Sequence, residues 1–211
     1  LHNAPFLPAG SIGIREGPFF ASADTLHVRV RGKKGHAAMP HLTIDATVAA
    51  AAVIMGLQTL ISRQTNPLEP AVITIGSLQS GQGHNVVSDL AEMWGTLRTF
   101  SADVRESLQK AIRELVGQTA AAFGATAEIE ILPQTPAVNN DAKLTGLVRE
   151  VADRVVPSQK VISADLIMAA EDFALYQEVI PGCFFLVGTG ETDQGIPGGW
   201  TGPKFGENPA L

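Results

Sequence analysis

From Thr25 onward apolar and polar residues alternate, with Leu26, Val28 and Val30 on one side of the chain and His27, Arg29 and Arg31 on the other. A period of two predicts a half-buried strand. Asp45 to Ser62 changes to a helical rhythm, with Thr43 as its expected N-cap. After Asp45 no charged side chain appears until Arg63, and Val48, Ile54, Met55, Leu57 and Ile61 spread over more than one face. A helix this apolar needs cover on two sides, its own sheet on one and a partner subunit on the other. Ala71 to Ser77 and Leu90 to Phe100 read as the next strands. Their link, Gly81-Gln82-Gly83-His84-Asn85, has glycines that permit a tight reversal where something approaches the backbone. The second helix, Ala102 to Phe123, is amphipathic. Val104, Leu108, Ile112 and Leu115 share a face, Asp103, Arg105, Glu106, Lys110 and Glu114 meet water, and Gly124 stops it. Ala127 to Leu132 gives a last strand, closed by Pro133 and Pro136.

Strand, helix, strand, strand, helix, strand is the split βαβ, ferredoxin-like order, a unit of about 110 residues able to form a compact domain. The Gly- and Pro-rich residues 1–22 read as loop and short strand of a larger body. Residues 138–211 return to that body, with a helix over Asp141 to Val156 and a strand over Cys183 to Val187. The expected fold class is α/β, with a complete βαββαβ domain over residues 23–137 inserted in a second domain present only in part.

Composition narrows the function. The 211 residues carry 45% hydrophobic and 17% charged side chains, as a globular chain with a core does. A net charge of -6 argues against a nucleic-acid surface, and the basic cluster from Arg29 to Lys34 reads as a strand end. A nucleic-acid binder on this fold also needs exposed aromatics on its central strands, which offer chiefly Trp94 and Phe100. No stretch of about 18 apolar residues is read, so no membrane span is expected. The chain opens without Met or a charged leader, so no signal peptide is read, and Leu1 opens in mid-protein sequence with room for an upstream targeting segment. The single cysteine, Cys183, permits no internal disulfide, reads as a small buried hydrophobe and fits a reducing, cytoplasmic setting.

The candidate chemistry is sparse. His36 lies between Gly35 and Ala37-Ala38, so its imidazole is bare of neighbours and able to reach a ligand. Asn85 both donates and accepts. Arg98 ends an otherwise apolar strand, where a guanidinium can hold a carboxylate through two parallel hydrogen bonds or form a surface ion pair. Glu171 and Asp172 precede Phe173 and stand either at a helix start, where the dipole favours acids, or on the wall of a site. His27 and His84 read as strand surface and loop. With His2 in Leu1-His2-Asn3, these residues suggest a metal-assisted amide hydrolase.

Six segments then occur in order: Leu1-His2-Asn3 with Leu7-Pro8-Ala9-Gly10, Gly35-His36-Ala37-Ala38-Met39-Pro40-His41, Asn85-Val86-Val87-Ser88-Asp89, Gly95-Thr96-Leu97-Arg98-Thr99-Phe100, Ala170-Glu171-Asp172-Phe173, and Pro181-Gly182-Cys183-Phe184-Phe185. On these the chain resembles the metal-dependent N-acyl amino acid amidohydrolases, among them hippurate hydrolase, aminoacylases, auxin-conjugate hydrolases and N-acetyldiaminopimelate deacetylase. The resemblance implies a zinc-peptidase-like catalytic α/β domain interrupted by a ferredoxin-like lid that dimerises. It implies that His2 is a metal ligand and that His36 crosses the homodimer to polarise the scissile carbonyl in the partner's site. Asn85 and Arg98 would hold the amino-acid carboxylate, while His41 would orient the loop or line the substrate site with Glu171. It implies a divalent metal pair, Zn, Mn, Ni or Fe, and an N-acyl amino acid substrate. It also implies that the upstream segment carrying most ligands and the general base, and a ligand histidine beyond Leu211, are missing, so that these residues alone are inactive. Lys34 stands where the family usually has glycine, and Ser88 where proline is common. Gly195 to Lys204 has no reading. A lid that only dimerises and binds, without chemistry, is the alternative.

Overall fold

The computed structural model of the chain describes residues 1–190; Gly195 to Lys204 lies outside the described residues. The chain divides into two compact units, one made of Leu1–Phe20, Val138–Ile167 and the residues from Asp172, the other of Ala21–Ala137 with Met168–Glu171.

In chain order the strands and helices are β1 (His2–Pro8), β2 (Ile12–Ile14), β3 (Gly17–Pro18), β4 (Ala23–Arg31), β5 (Gly35–His36), α1 (Ala46–Thr59), β6 (Ala71–Ser80), β7 (Val86–Val87), β8 (Leu90–Thr99), α2 (Ala102–Ala122), β9 (Thr126–Thr135), β10 (Asn139–Asn140), α3 (Ala142–Val155), β11 (Val161–Ser163), α4 (Phe173–Gln177) and β12 (Phe185–Gly190).

The first unit carries a mixed sheet in the order β1-β12-β2-β11, with β12 parallel to β1 and antiparallel to β2. Phe19, Phe20 and Phe184 pack edge to face at its base, Phe19 and Phe20 with centroids 4.9 Å apart and Phe20 and Phe184 5.4 Å apart. Buried Asn140 ties the segments together, its Nδ2 donating to the carbonyls of Arg15 and Phe184 and its Oδ1 accepting from the Phe184 N–H at 2.7 Å. Residues 1–20, expected as loop and short strand, therefore hold a seven-residue strand that shares a sheet with the end of the chain. Cys183 precedes β12 and is half-buried rather than buried, its sulfur 3.6 Å from the Thr145 hydroxyl, and burial raises its pKa.

The second unit is the βαββαβ domain. Its antiparallel sheet runs β6-β8-β4-β9, with α1 following the first of these strands in sequence and α2 the third. Leu26, Val28 and Val30 of β4 are wholly buried against Ala49, Ala50, Val53 and Leu57 of α1 and Ile112, Val116 and Ala120 of α2. Each such Leu, Ile or Val contributes about 1.5–3 kcal/mol. The cap of α1 differs from expectation: Asp45, not Thr43, accepts from the Thr47 and Val48 amides, while the Thr43 hydroxyl donates to Pro40 O. The helix continues past Thr59 in a π-turn over Leu60–Gln64. Together Ala46–Gln64 is long and apolar enough to cross a membrane, which corrects the expectation that no such stretch exists. Its packing accounts for that composition on one face only, because Val48 and Met55 remain 50% and 70% exposed. β9 extends through Pro133, which a strand at the sheet's edge tolerates because no ladder bond on that side is lost.

Candidate active site

The loop after β4 is fixed at its base. Lys33 and Ile44 exchange two backbone bonds, and the Gly32 N–H donates to Asp89 O at 2.8 Å. A Cβ on Gly32 would collide with Ile44 O, so the glycine lets the loop lie on the start of α1. Above that base, β5 pairs with β7, His36 opposite Val86, and the Ala37 N–H donates to Asn85 O at 3.0 Å. His36 and Asn85 thus share one short ribbon, and both are exposed. The Ala38 N–H donates to His36 Nδ1 at 3.1 Å. With Nδ1 accepting, the neutral ring carries its proton on Nε2 and presents a donor outward. His41 stands exposed on the single 3-10 turn Pro40–Leu42. Ser88 ties the ribbon to the sheet, its Oγ accepting from the Gly81 N–H and donating to Leu90 O. A polar cleft of about 270 Å³ beside it is lined by Lys34, Gln79, Gln82, Ser88 and Glu92, and neither His36 nor Asn85 belongs to it.

Arg98 is elsewhere. It lies eight residues beyond Leu90 on the unbroken strand β8, about 27 Å along the sheet at about 3.4 Å per residue. Its Nε donates to Thr96 Oγ1 at 3.0 Å, and no ion pair forms there among the described residues, so the surface ion pair is not what holds it. Burial lowers the guanidinium's pKa, and the charge of Asp24 opposes that shift. Asp24 itself is fully buried, its two oxygens 2.8 and 2.7 Å from Nε and Nη2 of Arg105 on α2. Beside it Ser22 and Thr99 share a hydroxyl bond of 2.8 Å.

In the first unit His2 is exposed at the start of β1, paired with Leu186 of β12. Its Nδ1 lies 2.8 Å from Asn3 O. A carbonyl partner makes Nδ1 the donor and leaves the lone pair on Nε2, the tautomer of a metal ligand. Among the described residues no group of three His, Cys, Asp or Glu side chains comes together to hold a cation, so these residues do not by themselves fit a metal pair. Glu171, half-buried, falls with the second unit, one residue ahead of Asp172, whose side chain makes no capping bond to α4.

One cluster escaped the sequence reading. His27, expected on the strand surface, is 5% exposed. Its ring stacks on Trp94 at 3.8 Å, and its Nε2 lies 2.6 Å from Glu92 Oε1. Glu130 Oε2 lies 3.7 Å from Nδ1, and Arg29 bridges to Glu92 and Glu128. The open face of the sheet thus carries Trp94, 43% exposed and stacked on His27, among glutamates that pair with His27 and Arg29.

Residues 22–123 match the peptidase dimerisation domain family. The chain is 40% identical over 205 residues to an N-acetylcysteine deacetylase of Bacillus subtilis, a match covering 97% of this chain and 52% of that protein. It is 37% identical to an N-acetyldiaminopimelate deacetylase of Exiguobacterium sibiricum over 93% of this chain and 52% of that one. A crystal structure from Bacillus subtilis described as a dinuclear metal binding peptidase of the M20 family superposes with a TM-score of 0.75 at 36% identity, covering 92% of this chain and 48% of that one. The chain is thus related to the M20 metallopeptidases. Among the relatives it matches are N-acyl amino acid deacetylases, the group its motifs resemble, and it spans about half the length of these curated relatives.

Proposed function

We propose that the chain is the dimerising, substrate-gripping part of a metal-dependent amidohydrolase that cleaves N-acyl amino acids, in a reducing, cytoplasmic setting. The observation that carries this reading is His36: an exposed imidazole, oriented by the Ala38 amide, offering Nε2–H next to Asn85. A preorganised donor of this kind stabilises the oxygen of an acyl carbonyl as it gains negative charge. The names of the relatives, deacetylases of N-acetylcysteine and N-acetyldiaminopimelate, support the same bond and the same class of substrate.

The edges of the lid sheet support a homodimer. β9 exposes Glu128, Glu130 and Pro133, residues that discourage strand addition. β6, the other edge, carries no charge, and α1, which packs on that side, exposes Val48 and Met55. A second copy seated on β6 and α1 would cover both. The two ends of β8 then take separate roles. One chain's His36 and Asn85 lie too far from its own Arg98 to grip one small substrate. In the dimer, His36 and Asn85 of one copy act with Arg98 of the other. Arg98 holds the substrate carboxylate, Asn85 the amide and His36 the developing oxyanion, releasing a carboxylic acid and a free amino acid. His41 and Glu171 stand as further substrate contacts.

The divalent pair, of identity Zn, Mn, Ni or Fe, belongs to the intact protein, with His2 as the ligand supplied by these residues. The 211 residues alone should therefore bind Zn or Mn weakly and leave N-acetyl-L-cysteine intact, while the intact protein with metal hydrolyses it. Tight stoichiometric metal binding with turnover by the 211 residues would contradict this, and absence of hydrolysis by the metal-loaded intact protein would favour a purely dimerising module.

A further inference from the structure

Thr96 and Arg98 are two residues apart on β8 and so emerge on the same face of the sheet. The Thr96 hydroxyl has one proton to give and lone pairs to receive. It donates to Asp24 O at 3.2 Å and accepts from Arg98 Nε at 3.0 Å. Both partners of the hydroxyl are therefore fixed in direction. The Asp24 backbone is itself held in place, because β4 is paired on both sides and the Asp24 carboxylate is bonded to Arg105. A β-branched side chain on a strand has little χ1 freedom, so this anchor is stiff.

A guanidinium can take a carboxylate side-on, through Nε and one terminal nitrogen, or end-on, through both terminal nitrogens. With Nε given to Thr96, only the end-on fork remains. We propose that Thr96 is a positioning residue: with its hydroxyl anchored on the Asp24 carbonyl and accepting from Arg98 Nε, it presents the two terminal nitrogens of Arg98 as a preformed fork for the substrate carboxylate. This rests on the reading of Arg98 as the carboxylate anchor. Without the hydroxyl the long side chain would have to be ordered at each binding event, which weakens recognition of the charged group and leaves the chemical step alone.

The test uses Thr96→Val, which keeps the shape and removes the hydroxyl, and Thr96→Ser, which restores it. In the intact enzyme Thr96→Val should raise KM for N-acetyl amino acids about tenfold with kcat changed by less than about twofold. Thr96→Ser should behave as wild type, and the neutral N-acetyl amino acid amides should show no change in KM with either variant. A wild-type KM in Thr96→Val, or an equal rise for the neutral amides, overturns the proposal. Arg98→Gln separates the two layers: if it too leaves KM unchanged, the carboxylate reading of Arg98 fails. If it raises KM while Thr96→Val does not, Thr96 alone is misassigned. In the 211-residue chain, the Arg98 Nε–H resonance should exchange slowly in wild type and Thr96→Ser and rapidly in Thr96→Val. Rapid exchange in the wild type contradicts the proposal directly.

Discussion

At the Thr99 end of the lid sheet, Asp24 is sealed against Arg105 and Ser22 is bonded to Thr99, whereas at the Leu90 end His36, Asn85 and His41 stand exposed on a two-residue ribbon and one 3-10 turn. The first end spends Asp24, Arg105, Ser22 and Thr99 on rigidity and ties Arg98 down by its Nε alone. The second holds its backbone firmly at Gly32 and Ser88 and leaves its side chains to meet something outside. Polar residues that are similar in sequence thus divide by burial into those that hold the fold and those left exposed on the ribbon. Because the two kinds lie at opposite ends of one strand, the site proposed above joins the exposed end of one copy to the Arg98 end of another.

The comparison can be broken most severely at the buried end. Asp24→Ala leaves Arg105 without its partner in a mostly buried seat and should cost about 3–5 kcal/mol of stability, as breaking a buried pair does. Asn85→Ala, at the exposed end, should shift stability by no more than about 0.5 kcal/mol. Urea denaturation of both variants measures the contrast; equal losses would mean that the two ends are not built differently.

A smaller effect probes the region between the ends. The bond from His27 holds the Glu92 carboxyl below its ordinary value, opposed by desolvation and helped by Arg29. A lowered folded pKa gives stability that is fully present above the ordinary glutamate value and lost as pH falls through the folded one. Thermal melts of the wild type should therefore decline on the acid side below about pH 4.5, the unperturbed glutamate value. Glu92→Gln should flatten that part of the profile while leaving melts near neutrality similar in shape, and an unchanged acid limb in the variant would remove Glu92 as its source.

Much of the lid was legible because periodicity reports burial directly. The alternation at Leu26, Val28 and Val30 marks the face that the helices cover, and the spacing in α2 marks Leu108 and Ile112 as buried. Capping was less legible: Thr43 and Asp45 are both cap-forming residues, and only the backbone shows that the carboxylate reaches the two orphan amides. His27 was misread because alternation assigns the polar side to solvent. Its cover comes from Glu92, 65 residues away, and from Trp94, so it depends on strand register rather than on any local pattern. The same holds for the site. His36 is visible as a bare polar residue beside Gly35, and Asn85 as the end of a glycine-bearing link, but their union on one ribbon depends on the β5–β7 pairing. The distance separating them from Arg98 emerges only once that pairing places the ribbon at the Leu90 end of the strand that the sequence already marks from Leu90 onward.

The central claim, that His36 and Asn85 of one copy serve the Arg98 of another, is tested most directly by mixing variants of the intact enzyme. His36→Ala and Arg98→Gln homodimers should each lose most activity, His36→Ala by about 10²–10³-fold as for loss of one oxyanion donor. Dissociated and reassociated together in equal amounts, they should regain about a quarter of wild-type activity, since half the dimers are mixed and each carries one whole site in a two-fold assembly. His36→Ala mixed with Asn85→Ala should regain nothing, because both residues come from the same copy. Recovery in that second mixture, or none in the first, would contradict the account.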